Sequence, residues 1–179
     1  WEKANGIDHS EIIPYSAQKS MSKESTYSRD SADLNFMRRE IIRMADELGF
    51  ELRRLGQTCG CITLKIRYAD FDTQTRQTSL PYTASDHVLR KTALELFSRL
   101  YNRRLLVRLL GIRLSKLTSG GMQLMLFDES SLMAPLYAAM DRIRSRHGMR
   151  LIQAAVLSNT SGIARPQNFR ENPAKTIKE

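Results

Sequence analysis

At 179 residues the chain has room for one good core plus extensions, not for two full domains. Apolar residues at 41% and charged residues at 26% are ordinary for a globular protein, and no apolar run reaches bilayer-spanning length. The balance is less ordinary: 28 Lys and Arg against 19 Asp and Glu leave +9, which attracts nucleic acid, anionic membrane or acidic partners. With no signal peptide at the N-terminus, the expectation is a cytoplasmic monomer with no membrane partner. The chain begins at Trp1 rather than at methionine and reads as a piece of something longer. Cys59 and Cys61 flank one glycine; without further Cys or clustered His they are expected as reduced thiols, and no metal site is predicted.

In chain order, residues 1–6 read as the tail of a helix closed by Gly6, and residues 7–18, with Pro14 and no period, as a connector. Residues 19–27 alternate loosely, are rich in hydroxyls and cations, and predict a strand. Leu34, Met37, Ile41, Met44, Leu48, Leu52 and Leu55 then recur at steps of three and four, a single helical stripe. Asp30, Ser31 or Asp33 caps its start and Gly56 stops it, while Arg38, Arg39 and Arg43 form a solvated face. From Ile62 the alternation is strict. Ile62, Leu64, Ile66 and Tyr68 fall on one side of a strand, Thr63, Lys65, Arg67 and Ala69 on the other.

A turn at residues 70–73 leads into a second run of Thr and Gln with Arg76, which completes a hairpin. A second helix follows, capped by Ser85 or Asp86, striped by Leu89, Ala93, Leu96 and Leu100, and left at Asn102. The last strand is predicted over residues 104–117, with Ile112 and Leu114 on one face and Arg113 and Ser115 on the other. Counting back by twos puts Arg108 inside and Leu109 outside. A one-residue bulge near Leu110 and Gly111 is therefore predicted, returning Val107 and Leu109 to the core and turning Arg108 outward.

The order is β-α-β-β-α-β, an α+β fold built on a four-stranded sheet. Two singly striped helices cover only one face of it. The open face then displays Lys65, Arg67, Arg76, Arg108 and Arg113, with Thr63, Thr75 or Thr78, and Lys19 or Lys23 according to register. Residues 19–117 hold 19 Lys and Arg against 11 Asp and Glu, so +8 of the chain's +9 sits in the sheet-forming part.

Beyond it, residues 118–121 form a flexible link. Residues 123–127, Gln-Leu-Met-Leu-Phe, are an apolar pentamer between polar flanks, either a short recognition peptide or a strap packed on the domain. Pro135 is predicted to open a third helix with Leu136, Met140 and Ile143 in line, ended by Gly148. Residues 150–157 are expected to pack loosely, and residues 158–179, with Pro166 and Pro173, to be disordered.

Several of these segments resemble one family. Lys19-Ser20 followed by Glu24, Thr26 and Tyr27-Ser28-Arg29-Asp30 looks like the Lys-Ser-Ile/Val…Glu-x-Thr-Phe-x-x-Asp segment of Y-family translesion DNA polymerases. Lys65 to Tyr68 with Asp70-Phe71 and Thr73-x-Thr75-Arg76, and Arg108 to Ser115, resemble later strands of the same domain. Asn5-Gly6-Ile7-Asp8 is similar to the end of its thumb. Residues 123–127 match the Gln-Leu-x-Leu-Phe peptide by which bacterial members hold the sliding clamp. The likeness runs from Trp1 to about Leu157 and is nearest the bacterial DNA polymerase IV type.

The resemblance implies a division into the end of a thumb (1–13), a linker (14–18), a little-finger DNA-binding domain (19–117), a link with the clamp-binding peptide (118–131), a helical tail (132–157) and residues 158–179. It implies a sequence-independent grip on the duplex or primer-template backbone in the major groove by Lys19, Ser20, Lys23, Thr63, Lys65, Arg67, Thr75, Arg76, Arg108, Arg113 and Ser115. It also implies clamp binding by Gln123, Leu124, Leu126 and Phe127. The nucleotidyltransferase palm, with its Mg²⁺-binding carboxylates, has no counterpart in these residues. Asp70 and Asp72 at a turn do not replace it, so no catalytic residue is expected here and the chain alone should add no nucleotide. A free-standing or inactive polymerase-like accessory module is the alternative. A small α/β enzyme for phosphorylated metabolites would need a Gly-rich phosphate loop or a base–nucleophile pair, which Gly120-Gly121 and the isolated His9, His87 and His147 do not supply.

Overall fold

The computed structural model describes residues 1–11, 18–103, 105–119 and 130–158. The expectations for residues 12–17, for the pentamer at 123–127 and for residues 159–179 lie outside the described residues. Gly6 closes a short 3-10 turn (Lys3–Asn5) in the left-handed region, at φ 76°, rather than a longer helix. The domain that follows runs β1 (Ser20–Ser31), α1 (Leu34–Arg54), β2 (Gln57–Tyr68), β3 (Thr73–Thr83), α2 (Asp86–Leu100) and β4 (Val107–Ser119), then α3 (Ser130–His147). The strands form one antiparallel sheet in the order β1-β4-β2-β3. The β-α-β-β-α-β order read from the sequence is the order found.

Local chemistry explains the borders. Asp33 caps α1, its Oδ1 accepting from the amides of Asn35 and Phe36 at 2.8 and 3.1 Å. Gly56, at φ 62°, lets the chain turn out of the helix where a side chain would be strained. The α1 stripe buries Met37, Ile41, Met44, Leu48 and Leu52, although its ends, Leu34 and Leu55, stay exposed. Opposite it lie Ile62, Leu64, Ile66 and Tyr68 of β2, Leu110, Ile112 and Leu114 of β4, and Leu89, Ala93, Leu96 and Phe97 of α2, all in one core. Burying each large side chain contributes roughly 1.5–3 kcal/mol, so this layer carries the fold.

The bulge in β4 is not at Gly111. Pairing with β2 runs without a break from Cys61 opposite Ser115 to Arg67 opposite Leu109, and slips between Arg67 and Tyr68. The extra residue is Arg108. Val107 therefore reaches the core as expected, but Leu109 falls on the side away from the helices, where it is nonetheless buried. Leu110, Ile112 and Leu114 already share one parity, so Gly111 has no slip to absorb.

Helix α3 differs most from expectation. It starts five residues before Pro135 and is clamped to the outer side of the two helices by a cluster of charges. Arg53 donates Nε and Nη2 to both oxygens of Asp141 at 2.6 and 2.9 Å, and Nη1 to Asp86 Oδ1 at 2.5 Å and to the Ala84 carbonyl at 2.6 Å. Arg144, fully buried, donates to Asp86 Oδ2 at 3.1 Å and to the Ile152 carbonyl at 3.2 Å. Asp46 on α1 pairs with Arg90 on α2, and burial raises the Asp46 pKa above its usual value. Tyr137 lies under Arg53, its ring centroid 4.8 Å from the guanidinium carbon, and its hydroxyl sits 2.7 Å from His87 Nδ1. Gly49 makes the approach of α2 possible, because a side chain there would occupy the place of the Asp86 carboxylate. The segment after α3, expected to pack loosely, is thus tied back through Ile152. None of this touches the open side of the sheet.

Candidate nucleic-acid interface

Register turns the open side into a grid. Reading across β1, β4, β2 and β3, its rows are Ser20–Ser115–Cys61–Ser79, Ser22–Arg113–Thr63–Gln77, Glu24–Gly111–Lys65–Thr75 and Thr26–Leu109–Arg67–Thr73. Residues directly opposite in antiparallel strands project to the same face, so these side chains share one surface. Arg113, Lys65 and Arg67 stand among hydroxyls, with Glu24 as the one carboxylate of the grid. The surface dips into a concavity of about 660 Å³ lined by most of the upper three rows.

Each cation is held differently. Arg113 is exposed and, among the described residues, has no carboxylate within ion-pair distance. Arg67 donates Nε to Thr73 Oγ1 at 2.8 Å, which aims its guanidinium along the face. Lys65 Nζ meets both oxygens of Glu24, at 3.0 and 3.1 Å. Lys116 joins them although its place in the alternation points elsewhere. Its φ of 53° turns it toward Ser79 Oγ, 3.4 Å away. Sequence reading missed Lys116 because nothing local announces a positive φ at a lysine.

Of the predicted set, Ser20, Thr63, Lys65, Arg67, Thr75, Arg113 and Ser115 come together in the grid, and exposed Lys19 immediately precedes it. Lys23 and Arg76 do not. Lys23 lies opposite Ile112, hence on the helix side, where it reaches Glu51 at 3.1 Å and Glu47 at 3.6 Å. Its hydrogen bond to Glu51 raises its pKa above the usual lysine value. Arg76 lies opposite Leu64 and donates to the Arg99 carbonyl at the end of α2, 3.1 Å away. Thr78, weighed as an alternative to Thr75, also faces the helices, opposite Ile62. Arg108 occupies the bulge, bonded to Asp30 at 3.1 Å and resting 4.6 Å above the Phe71 ring. Composition hides parity on both strands: β1 mixes hydroxyls and charges on its two faces, and β3 has hydroxyls on both with Arg76 as its sole charge.

Residues 18–126 match the impB/mucB/samB family C-terminal domain, well over half of the chain. The chain belongs to that family. This is the C-terminal domain of the Y-family polymerases, and the α+β fold with its two sheet-covering helices is consistent with the little finger that the resemblance implied. Among relatives, a DNA polymerase IV of Clostridium acetobutylicum is 34% identical over 164 residues, covering 88% of this chain and 41% of that protein. One of Dehalococcoides mccartyi strain CBDB1 is 32% identical over 152 residues, covering 84% of this chain and 39% of its own length. One of Bacillus velezensis is 30% identical over 180 residues, covering 96% and 43%. The chain thus spans about two fifths of the relatives it matches. Among the described residues of this impB/mucB/samB domain, no group of three or more His, Cys, Asp or Glu is placed to hold a metal ion, and no helix is long and apolar enough to cross a membrane.

Proposed function

We propose that the open face of this domain grips duplex DNA, primer-template included, through its phosphates and without regard to sequence, as part of a DNA polymerase IV acting in translesion synthesis in the cytoplasm. The observation that carries the reading is the grid itself: cations open to water, Arg113 exposed and Lys65 and Arg67 partly so, interleaved with hydroxyls on a face that α3 leaves bare. Four strands spaced about 4.8 Å apart make a face roughly 14 Å across, near the ~12 Å width of the major groove. Arg and Lys supply charge, while Ser and Thr hydroxyls bond to phosphate oxygens and set orientation. Gln77 is the grid's only amide, and the hydroxyls that make up most of the surface suit phosphate oxygens rather than base edges. Nucleotide addition and its Mg²⁺ belong to a palm outside these residues, so this chain alone incorporates no nucleotide.

Neutralising phosphates releases counterions, so affinity falls steeply with salt, and an isolated domain binds with Kd on the order of 10⁻⁴–10⁻⁶ M. Replacing both Arg67 and Arg113 with Ala should flatten the slope of log affinity against log salt by about 1.8, close to 0.9 for each lost phosphate contact. An unchanged slope would remove the open face as the DNA site. The second half of the function is recruitment of a monomeric polymerase to the sliding clamp through Gln123, Leu124, Leu126 and Phe127. A peptide of this kind depends on a few apolar anchors, so replacing Leu126 and Phe127 with Ala should abolish clamp binding and leave the duplex titration as it was. Tethering by the clamp raises the local DNA concentration and makes a soft grip sufficient.

A further inference from the structure

We infer that Glu24 is a built-in competitor for the DNA backbone, occupying Lys65 where a phosphate would otherwise sit and so weakening the grip. The inference rests on the DNA-binding reading above. Glu24, Gly111 and Lys65 lie directly opposite one another on three adjacent strands. The carboxylate must therefore cross the whole width of β4 to reach the ammonium. It does so, with both oxygens engaged at 3.0 and 3.1 Å.

The crossing is possible because residue 111 is glycine. A Cβ at that position would stand 2.7 Å from Glu24 Cγ, within the path that the side chain takes. A glycine in the interior of a central strand weakens it by loss of packing and added chain entropy. Here it leaves the open face a channel along which an acid can lie flat. The chemistry of the occupant is telling: a carboxylate with two oxygens on one ammonium reproduces what a phosphate offers. Both partners remain partly open to water, at 41% exposure for Glu24 and 30% for Lys65, so the pair is exchangeable rather than locked. A duplex laid on the grid must displace Glu24 from Lys65 or leave that position without a backbone contact, with a negative charge beside it.

The test is a double-mutant cycle on the full chain with a short fluorescent duplex, titrated at several salt concentrations. Glu24→Gln keeps the shape and removes the charge. It should tighten duplex binding about two- to fivefold at low salt, the range of an exposed ion pair, and steepen the salt slope by about 0.9. In a Lys65→Ala background the gain from Glu24→Gln should disappear. A gain that persists there means that Glu24 acts through general charge and overturns the competition for Lys65. Unchanged or weaker binding by Glu24→Gln also overturns it, while a normal loss for Arg67→Ala with Arg113→Ala would show that the DNA face itself stands. If those arginine replacements change nothing either, the DNA-binding reading fails and the inference with it.

Discussion

The two sides of this sheet use the same charged residue types for opposite ends. Outside the helix layer, Arg53, Asp86, Asp141 and Arg144 are largely out of water and partnered from several directions. On the open face, Lys65, Arg67 and Arg113 are spaced among hydroxyls and touch water, with Glu24 as their one acidic neighbour among the described residues. An arginine is a rivet in the first setting and an adjustable contact in the second. What separates them is desolvation. Deep in the cluster a missing partner leaves an uncompensated charge, whereas on the open face water replaces any partner that leaves.

The largest expected effect comes from breaking the buried side. Asp86→Ala strips Arg53 and Arg144 of a shared carboxylate and should destabilise the fold by about 3–5 kcal/mol, as removal of one member of a buried pair does. Thermal unfolding measures it. Loss of only a few tenths of a kcal/mol would mean that α3 is held by apolar contacts such as Tyr137 rather than by charge. Next in size is the loss of salt dependence expected on replacing Arg67 and Arg113, an effect on binding with little change in unfolding. The smallest effect sharpens the comparison most. Lys23→Ala and Arg76→Ala remove cations that count equally in any sum of charge but face the helices. Their duplex salt slopes should match the parent's, and any stability change should stay within about 1 kcal/mol. Slopes as flat as those of the open-face replacements would show that charge, not its placement, governs binding.

The contrast also marks how far residues can be read without coordinates. Where one side of an element is apolar, reading succeeded. Met37 to Leu52 on α1, Ile62 to Tyr68 on β2 and Leu89 to Leu100 on α2 all pack where their periods place them. Where neither side is apolar, it failed. β1 carries hydroxyls and charges on both faces, and β3 hydroxyls on both with Arg76 as its sole charge, so the side that Lys23 and Arg76 take is not legible in their own strands. On β4 the sequence calls for a bulge and points to the glycine, the usual marker of one. At its actual place, Arg108 pairs with Asp30 and rests over Phe71, contacts between residues far apart in the chain.

The order of the sheet-forming elements, the two apolar stripes and the half-buried strand at the centre were set by the sequence alone, since each depends on neighbours within a few residues. Only the tertiary structure decided which cations share a face, that α3 returns to the helices through Arg53, Asp86 and Arg144, and that Glu24 crosses Gly111 to Lys65. Those outcomes depend on which strand lies beside which, and in what register. A period of two or of 3.6 tells a side chain where the core is, not which charge waits for it on the next strand.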